Sequence, residues 1–259
     1  MSSRSLFTAI LAVLFALVFS AKPLLQKIER RSAIREVEQV AIPPPTEHAI
    51  VASSASSASS SHRREINWSV PFTSQAPMGD WDPLHQEACE EASIAMVVRY
   101  FEGRTFSSPA DADDQIRSLV ATSEQQFGFG VSQNVQQVAA LLTHYSQDIR
   151  ISIVADPHEE SLKEALDHGF LVIVPAAGRA LGNPYYRSPG PLYHMLVLRG
   201  YTSDGYVITN DPGTKHGEQF VYRWETLLAA IHDWNDGNVE EGKRVVIMVG
   251  QYTPGLRLR

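Results

Sequence analysis

The apolar residues of this chain change period near its middle, and that change restricts its fold more than any other feature. From Cys89 to Gly169 they recur at helical spacing. The stretch Cys89 to Phe101 places Cys89, Ser93, Met96 and Tyr100 along one side. Residues 109–120 open with Pro109 and carry Asp111, Asp113 and Asp114 in the first turn, as a helix start favours. Ser132 reads as the N-cap of a helix running to Tyr145. Asp156-Pro157 and Gly169 bracket another, with cap, first-turn proline and terminal glycine. From residue 170 the pattern shifts to short runs rich in Val, Ile and aromatics, bounded by Gly, Asn, Asp or Pro. They are Phe170–Pro175, His194–Tyr201, Tyr206–Thr209, Gln219–Tyr222 and Arg244–Val249, with one more helix predicted over Trp224–Trp234. Helices first and antiparallel strands later define an α+β domain, N-terminal helices packed on a C-terminal antiparallel sheet.

That domain occupies residues 66–252, with 253–259 as a tail. What precedes it has a different character. Leu6 to Phe19 is a run of mostly apolar residues after Arg4 and before Ser20-Ala21-Lys22, the anatomy of a secretory signal. Residues 1–21 therefore read as a signal peptide or membrane anchor, with residues 6–25 as the anchoring stretch if it is uncleaved. Residues 22–65 read as a tether, with a weak amphipathic pattern over Pro23–Val40, then Pro43-Pro44-Pro45 and a run of only Ser and Ala from Ala52 to Ser61. Residues 41–65 have nothing to bury, and random-coil scaling gives them a reach of about 25–30 Å. An extracytoplasmic location follows, with membrane contact through the N-terminal segment.

The charge divides the same way. Residues 1–65 carry eight basic and five acidic side chains, whereas the remainder carries 14 and 24. An acidic domain without a Lys/Arg stripe argues against nucleic acid as a partner. The 259-residue chain is long enough for a sizeable core without a staple. Its single cysteine excludes intramolecular disulfides and Cys-rich zinc sites.

That cysteine is Cys89, at the start of a predicted helix, where free N–H groups and the macrodipole favour a thiolate. A lone cysteine is also commonly an inert buried hydrophobe. Glu87, Glu90 and Glu91 lie beside it and oppose ionisation unless they point away, so a reactive thiol here requires a cationic partner. Of nine histidines, His48 and His62 fall in the tether, His144, His158, His168 and His232 on helices or their ends, and His216 in a turn. His85 lies four residues before Cys89, close enough to share a metal, though no second Cys or HxxH supports one. His194 sits inside an apolar strand, where a polar ring needs either a structural bond or a function. Asp211 ends the following strand in Asn210-Asp211-Pro212-Gly213, a good turn in its own right. An antiparallel hairpin brings the start of one strand beside the end of the next, so Asp211 comes near His194 and can orient its imidazole.

VPFTSQAP, QEACEEAS, YHMLVLRGY and ITNDPGT, in that order, resemble the C-39-like peptidases, stand-alone papain-like relatives of the cysteine peptidases that process bacteriocin leaders. The resemblance covers roughly residues 66–250. It implies a papain-like fold with Cys89 as nucleophile, His194 as general base and acid, and Asp211 as orienting acid. It also implies a glutamine upstream of the nucleophile as oxyanion donor, beside the Cys89 backbone N–H. Gln75, in VPFTSQ, matches that motif, with Gln86 the nearer alternative. The chain departs from many relatives in carrying Glu90 where they have glycine. No ATPase or multi-span module is present, so leader processing does not follow.

These implications describe a monomeric cysteine peptidase needing no metal or organic cofactor. Its substrate is a peptide or protein, with cell-wall peptides included. Trp81, in the segment 78–83, and Tyr185 and Tyr186, in the loop Gly178–Leu192, are candidate substrate-binding walls or else ordinary surface loop. A transglutaminase-like acyl transferase would use the same three residues in the same order. A tethered binding module that kept the fold without turnover is the reading from a different class.

Overall fold

A computed structural model describes residues 39–40, 65–146 and 148–251. The expected signal or anchor, nearly all of the tether and the tail lie outside these residues. Among the described residues no helix is long and apolar enough to cross a membrane.

Eight strands, β1 (Gln39–Val40), β2 (Ile66–Asn67), β3 (Ile149–Ala155), β4 (Leu171–Ala177), β5 (Tyr193–Tyr201), β6 (Tyr206–Asn210), β7 (Phe220–Arg223) and β8 (Val245–Gln251), form one sheet. Its order is β1-β3-β8-β4-β5-β6-β7, with β2 added along β5. All pairs are antiparallel except β1 with β3, which draws two residues of the expected tether onto the sheet edge. Five α-helices accompany it: α1 (Cys89–Phe101), α2 (Pro109–Thr122), α3 (Val135–Tyr145), α4 (Glu159–Asp167) and α5 (Trp224–Ala230).

The α+β class stands, and helices cover both faces of the sheet. Ile173, Val197 and Ile247 point to the side packed by Ile94 and Val97 of α1 and Leu141 and Leu142 of α3. Their strand neighbours Val172, Val174, Leu196, Leu198, Val246 and Met248 point to the other side, against Leu162 and Leu166 of α4 and Trp224 and Leu227 of α5. Burial on both faces makes these strands continuous apolar runs rather than alternating ones.

Several boundaries differ from the sequence reading, each for a local reason. The cap of α3 is Asn134, not Ser132: its side chain accepts from Gln137 N at 3.0 Å while Gln137 Oε1 accepts from Asn134 N at 3.0 Å. The cap of α4 is His158, whose Nδ1 accepts from Ser161 N, while Asp156 finishes β3 with its N–H on Arg244 O. Helix α5 stops at Ala230, well short of Trp234, because Ile231 bridges across to Ala176 of β4. Strand β3 has no counterpart among the expected strands, although Ile149, Ile151 and Ile153 alternate with the polar Arg150 and Ser152.

Gly200 is dictated by close approach. A Cβ there would lie 1.9 Å from the Ile66 carbonyl oxygen, so only glycine lets β2 pair with β5 at this point.

Candidate active site

Helix α1 begins at Cys89 and packs on β5, where Ser93 Oγ donates to Met195 O at 3.2 Å. This contact sets the start of α1 beside the strand that carries His194. Ahead of it, the turn His85–Glu87 is clamped by the buried His85 ring, whose nitrogens reach Asp82 at 2.9 Å and Asp113 at 2.6 Å. Arg117 bonds Asp113 at 2.8 Å. With both nitrogens held by carboxylates, His85 serves the loop rather than a shared metal with Cys89. No three His, Cys, Asp or Glu side chains converge as a metal site among the described residues.

The β5–β6 hairpin pairs Val197 with Asn210, which brings Asp211 back toward the start of β5. His194 Nε2 donates to Asp211 Oδ1 at 2.8 Å, and both side chains are buried. Asp211 collects four further donors: Gly213 N at 3.0 Å on Oδ1, and on Oδ2 Tyr186 OH at 2.7 Å, Tyr222 OH at 2.5 Å and Asn183 Nδ2 at 3.0 Å. Burial opposes its charge, but His194 and the hydroxyl donors outweigh burial and hold the carboxyl down at about 2. Gly213 is confined by the same pair, since a Cβ there would come within 2.9 Å of His194 Cε1 and of Tyr186.

The thiol has a different partner. Cys89 Sγ donates to Glu90 Oε2 at 3.0 Å, and Glu90 Oε1 accepts from Gln133 N at 2.9 Å. Glu91 accepts from Gln133 Nε2 at 2.5 Å, and both glutamates are buried. Neither points away into solvent, so the opposition to ionisation foreseen from sequence is real. Burial foremost, then the Glu90 charge and hydrogen bond, raise the Cys89 pKa well above its ordinary value. Burial also pushes Glu90 up to about 7 and Glu91 up to about 8.

A cleft of about 1170 Å³ opens over Cys89, Glu90 and His194, with Gln75, Gln86, Trp81, Tyr185 and Tyr186 also lining it. Gln75 is buried, and its amide nitrogen donates to the carbonyls of His85 at 2.8 Å and Gln86 at 3.1 Å. Both of its amide hydrogens are thereby engaged, and Oε1 has no partner. Gln86 donates to Trp81 O at 2.8 Å. Trp81 and Tyr185 stand exposed at the cleft, whereas Tyr186 turns its hydroxyl inward to Asp211. Sequence reasoning missed Asn183, Tyr222, Gly213 and Gln133. Only Asn183 and Gly213 offered a local signal, as polar and small residues in loops.

A thiol at the head of a helix and a buried His–Asp pair on an antiparallel sheet, lining one cleft, fit the papain-like α+β class. The chain matches the model of the Peptidase_C39 like family over residues 68–236, more than half its length, and belongs to that family. A solved C39-like peptidase from Bacillus anthracis matches with 14% identity over 73% of this chain and 99% of that one, at a TM-score of 0.48. No curated protein matches. The family points to a cysteine peptidase.

Proposed function

We propose that the chain is an exported or membrane-tethered cysteine peptidase that hydrolyses peptide bonds through Cys89, His194 and Asp211. The observation that carries this reading is the His194–Asp211 bond: it occupies Nε2 and leaves Nδ1 as the nitrogen for proton exchange. In the reaction, His194 takes the thiol proton and Sγ attacks the substrate carbonyl. The imidazolium then protonates the leaving amine, and water, deprotonated by His194, hydrolyses the thioester. The backbone N–H of Cys89, free at the helix start, is one oxyanion donor. Gln75 supplies the second by turning one amide hydrogen from its carbonyl partners into the cleft. Residues 6–25 hold the enzyme at the membrane, outside the cytoplasm.

The test uses the full chain and a peptide library read by mass spectrometry. Cys89→Ala and His194→Ala should each abolish cleavage while the circular dichroism spectrum is kept. Cleavage that persists in Cys89→Ala would sink the proposal.

Glu90 sets the pH at which this chemistry runs. While ionised it holds the thiol proton and opposes a thiolate beside it, so alkylation of Cys89 in wild type should be slow at pH 7. Glu90→Gln removes the charge and keeps an oxygen for Gln133 N. It should alkylate several-fold faster at pH 7, and adding His194→Ala should cancel the gain. An unchanged rate in Glu90→Gln would show that Glu90 does not govern the thiol.

A second reading draws on the same contact. A thiol held by a carboxylate suits a tethered binding module that kept the fold. Its mark would be peptide binding that survives Cys89→Ala, with no turnover by wild type.

A further inference from the structure

One rim of the cleft is built from the loop 182–192 before β5 and the turn 211–219 between β6 and β7. These two segments are tied by the ring of Tyr185 lying on His216, with centroids 4.5 Å apart. This rim carries Arg187 and Lys215, both exposed and both lining the cleft. Neither forms an ion pair within 4 Å among the described residues; other cations such as Arg223 and Arg244 share this, and what distinguishes Arg187 and Lys215 is that both stand at the cleft. The domain around them is strongly acidic, with 24 acidic against 14 basic side chains beyond residue 65. Two unneutralised cations at the mouth of a cleft in such a protein form a local reversal of its field.

The apolar exposure is concentrated at the same place. Of the large hydrophobic side chains that stand exposed, Trp81, Tyr185 and Leu192 line the cleft, and Met78 adjoins Gly79 of its wall. Clustered exposed apolar surface with a polar rim marks a binding surface.

We propose that the cleft selects peptides carrying a carboxylate beside a large apolar side chain, the carboxylate held by the Arg187–Lys215 rim and the apolar group by Trp81 and Tyr185. This rests on the peptidase reading for its consequence in cleavage, but the binding preference stands apart from turnover. Arg187 offers a carboxylate two parallel donors and Lys215 a point charge. Glu87 and the buried Glu90 also line the cleft, beside Cys89. A basic substrate therefore meets repulsion at one rim and an acidic one meets attraction, which orients the chain in the cleft.

The test measures binding to the full-length Cys89→Ala chain by fluorescence anisotropy. The probes are a Phe-containing peptide with flanking Asp/Glu, its Asn/Gln and Lys counterparts, and a cell-wall stem peptide. The acidic probe should bind about tenfold tighter than the Lys probe at low salt, with the preference shrinking at 0.5 M salt (roughly a 4–5 Å screening length). Arg187→Glu/Lys215→Glu should reverse the order. Whichever of the linear acidic and stem peptides binds tighter identifies the source of the carboxylate. Equal affinities across the charge series, or an order unchanged by the double reversal, would overturn the inference. Cleavage of the same probes by wild type is scored separately: a charge preference in binding without Cys89-dependent cleavage would count against the peptidase reading and leave the rim assignment intact.

Discussion

Asp211→Ala is expected to lower the stability of the domain by about 3–5 kcal/mol and to abolish peptide cleavage. Alanine removes the acceptor for five donors: His194 Nε2, Gly213 N, the hydroxyls of Tyr186 and Tyr222, and Asn183 Nδ2. Asp211 itself is fully buried at the base of the cleft, so water does not take its place without opening the loops that carry these donors. Asp211→Asn separates the two roles. Its oxygen can still face His194, and the tyrosine hydroxyls can turn to accept from its amide, so only Asn183 is left facing a donor. That variant should keep most of the stability yet lose the charge that supports an imidazolium. Urea midpoints and cleavage rates of the two variants decide the matter. An Asp211→Ala protein as stable as wild type would mean that the donor cage is not closed as described.

Thermal stability is expected to rise as the pH is lowered from 9 to about 5.5, by about 5–10 °C. Burial raises Glu90 to about 7 and Glu91 to about 8 from an ordinary 4.5, and raises Asp233 to about 6 from 3.8. Between the ordinary and the raised values the folded protein binds more protons than the unfolded chain. Stability therefore falls as pH rises through that window, because each buried carboxyl must ionise. Asp211 acts in the opposite sense: depressed to about 2 from 3.8, it stabilises above pH ~4, and that contribution is lost toward pH 2. The two trends place the maximum in mildly acidic solution. Glu90→Gln and Glu91→Gln should each flatten the slope and raise the melting temperature at pH 8 most. A melting temperature that climbs from pH 6 to pH 9 would refute the burial of these carboxylates as free acids. Taken with the alkylation experiment, this ties the acidic stability range to the release of the Cys89 thiol.

The acidic pair also shows where local sequence stops being informative. Two consecutive glutamates in a first helical turn look like ordinary partners of the helix dipole. Their burial and their bonds come from Gln133, more than forty residues away in the chain. Gln75 is a similar case. The motif marked it as the oxyanion donor, but the direction of its amide is set by the His85 and Gln86 carbonyls, and these are positioned by the His85–Asp113 contact with α2.

By itself the sequence determined what depends on near neighbours. The helix over Cys89–Phe101, the five strands from β4 to β8 within one or two residues, the α+β class and the meeting of His194 with Asp211 all follow from periodicity, caps and a short hairpin. A hairpin of this kind is local physics, because its register is fixed by the turn it encloses. Tertiary structure alone decided the rest: which acceptor the thiol faces, which hydroxyls surround Asp211, and that the sheet is covered on both faces. Those outcomes depend on pairs brought together across the whole chain, such as Asn183 with Asp211 and Trp224 beneath β4 and β5. Their energies arise only when burial removes water from groups that no local pattern distinguishes.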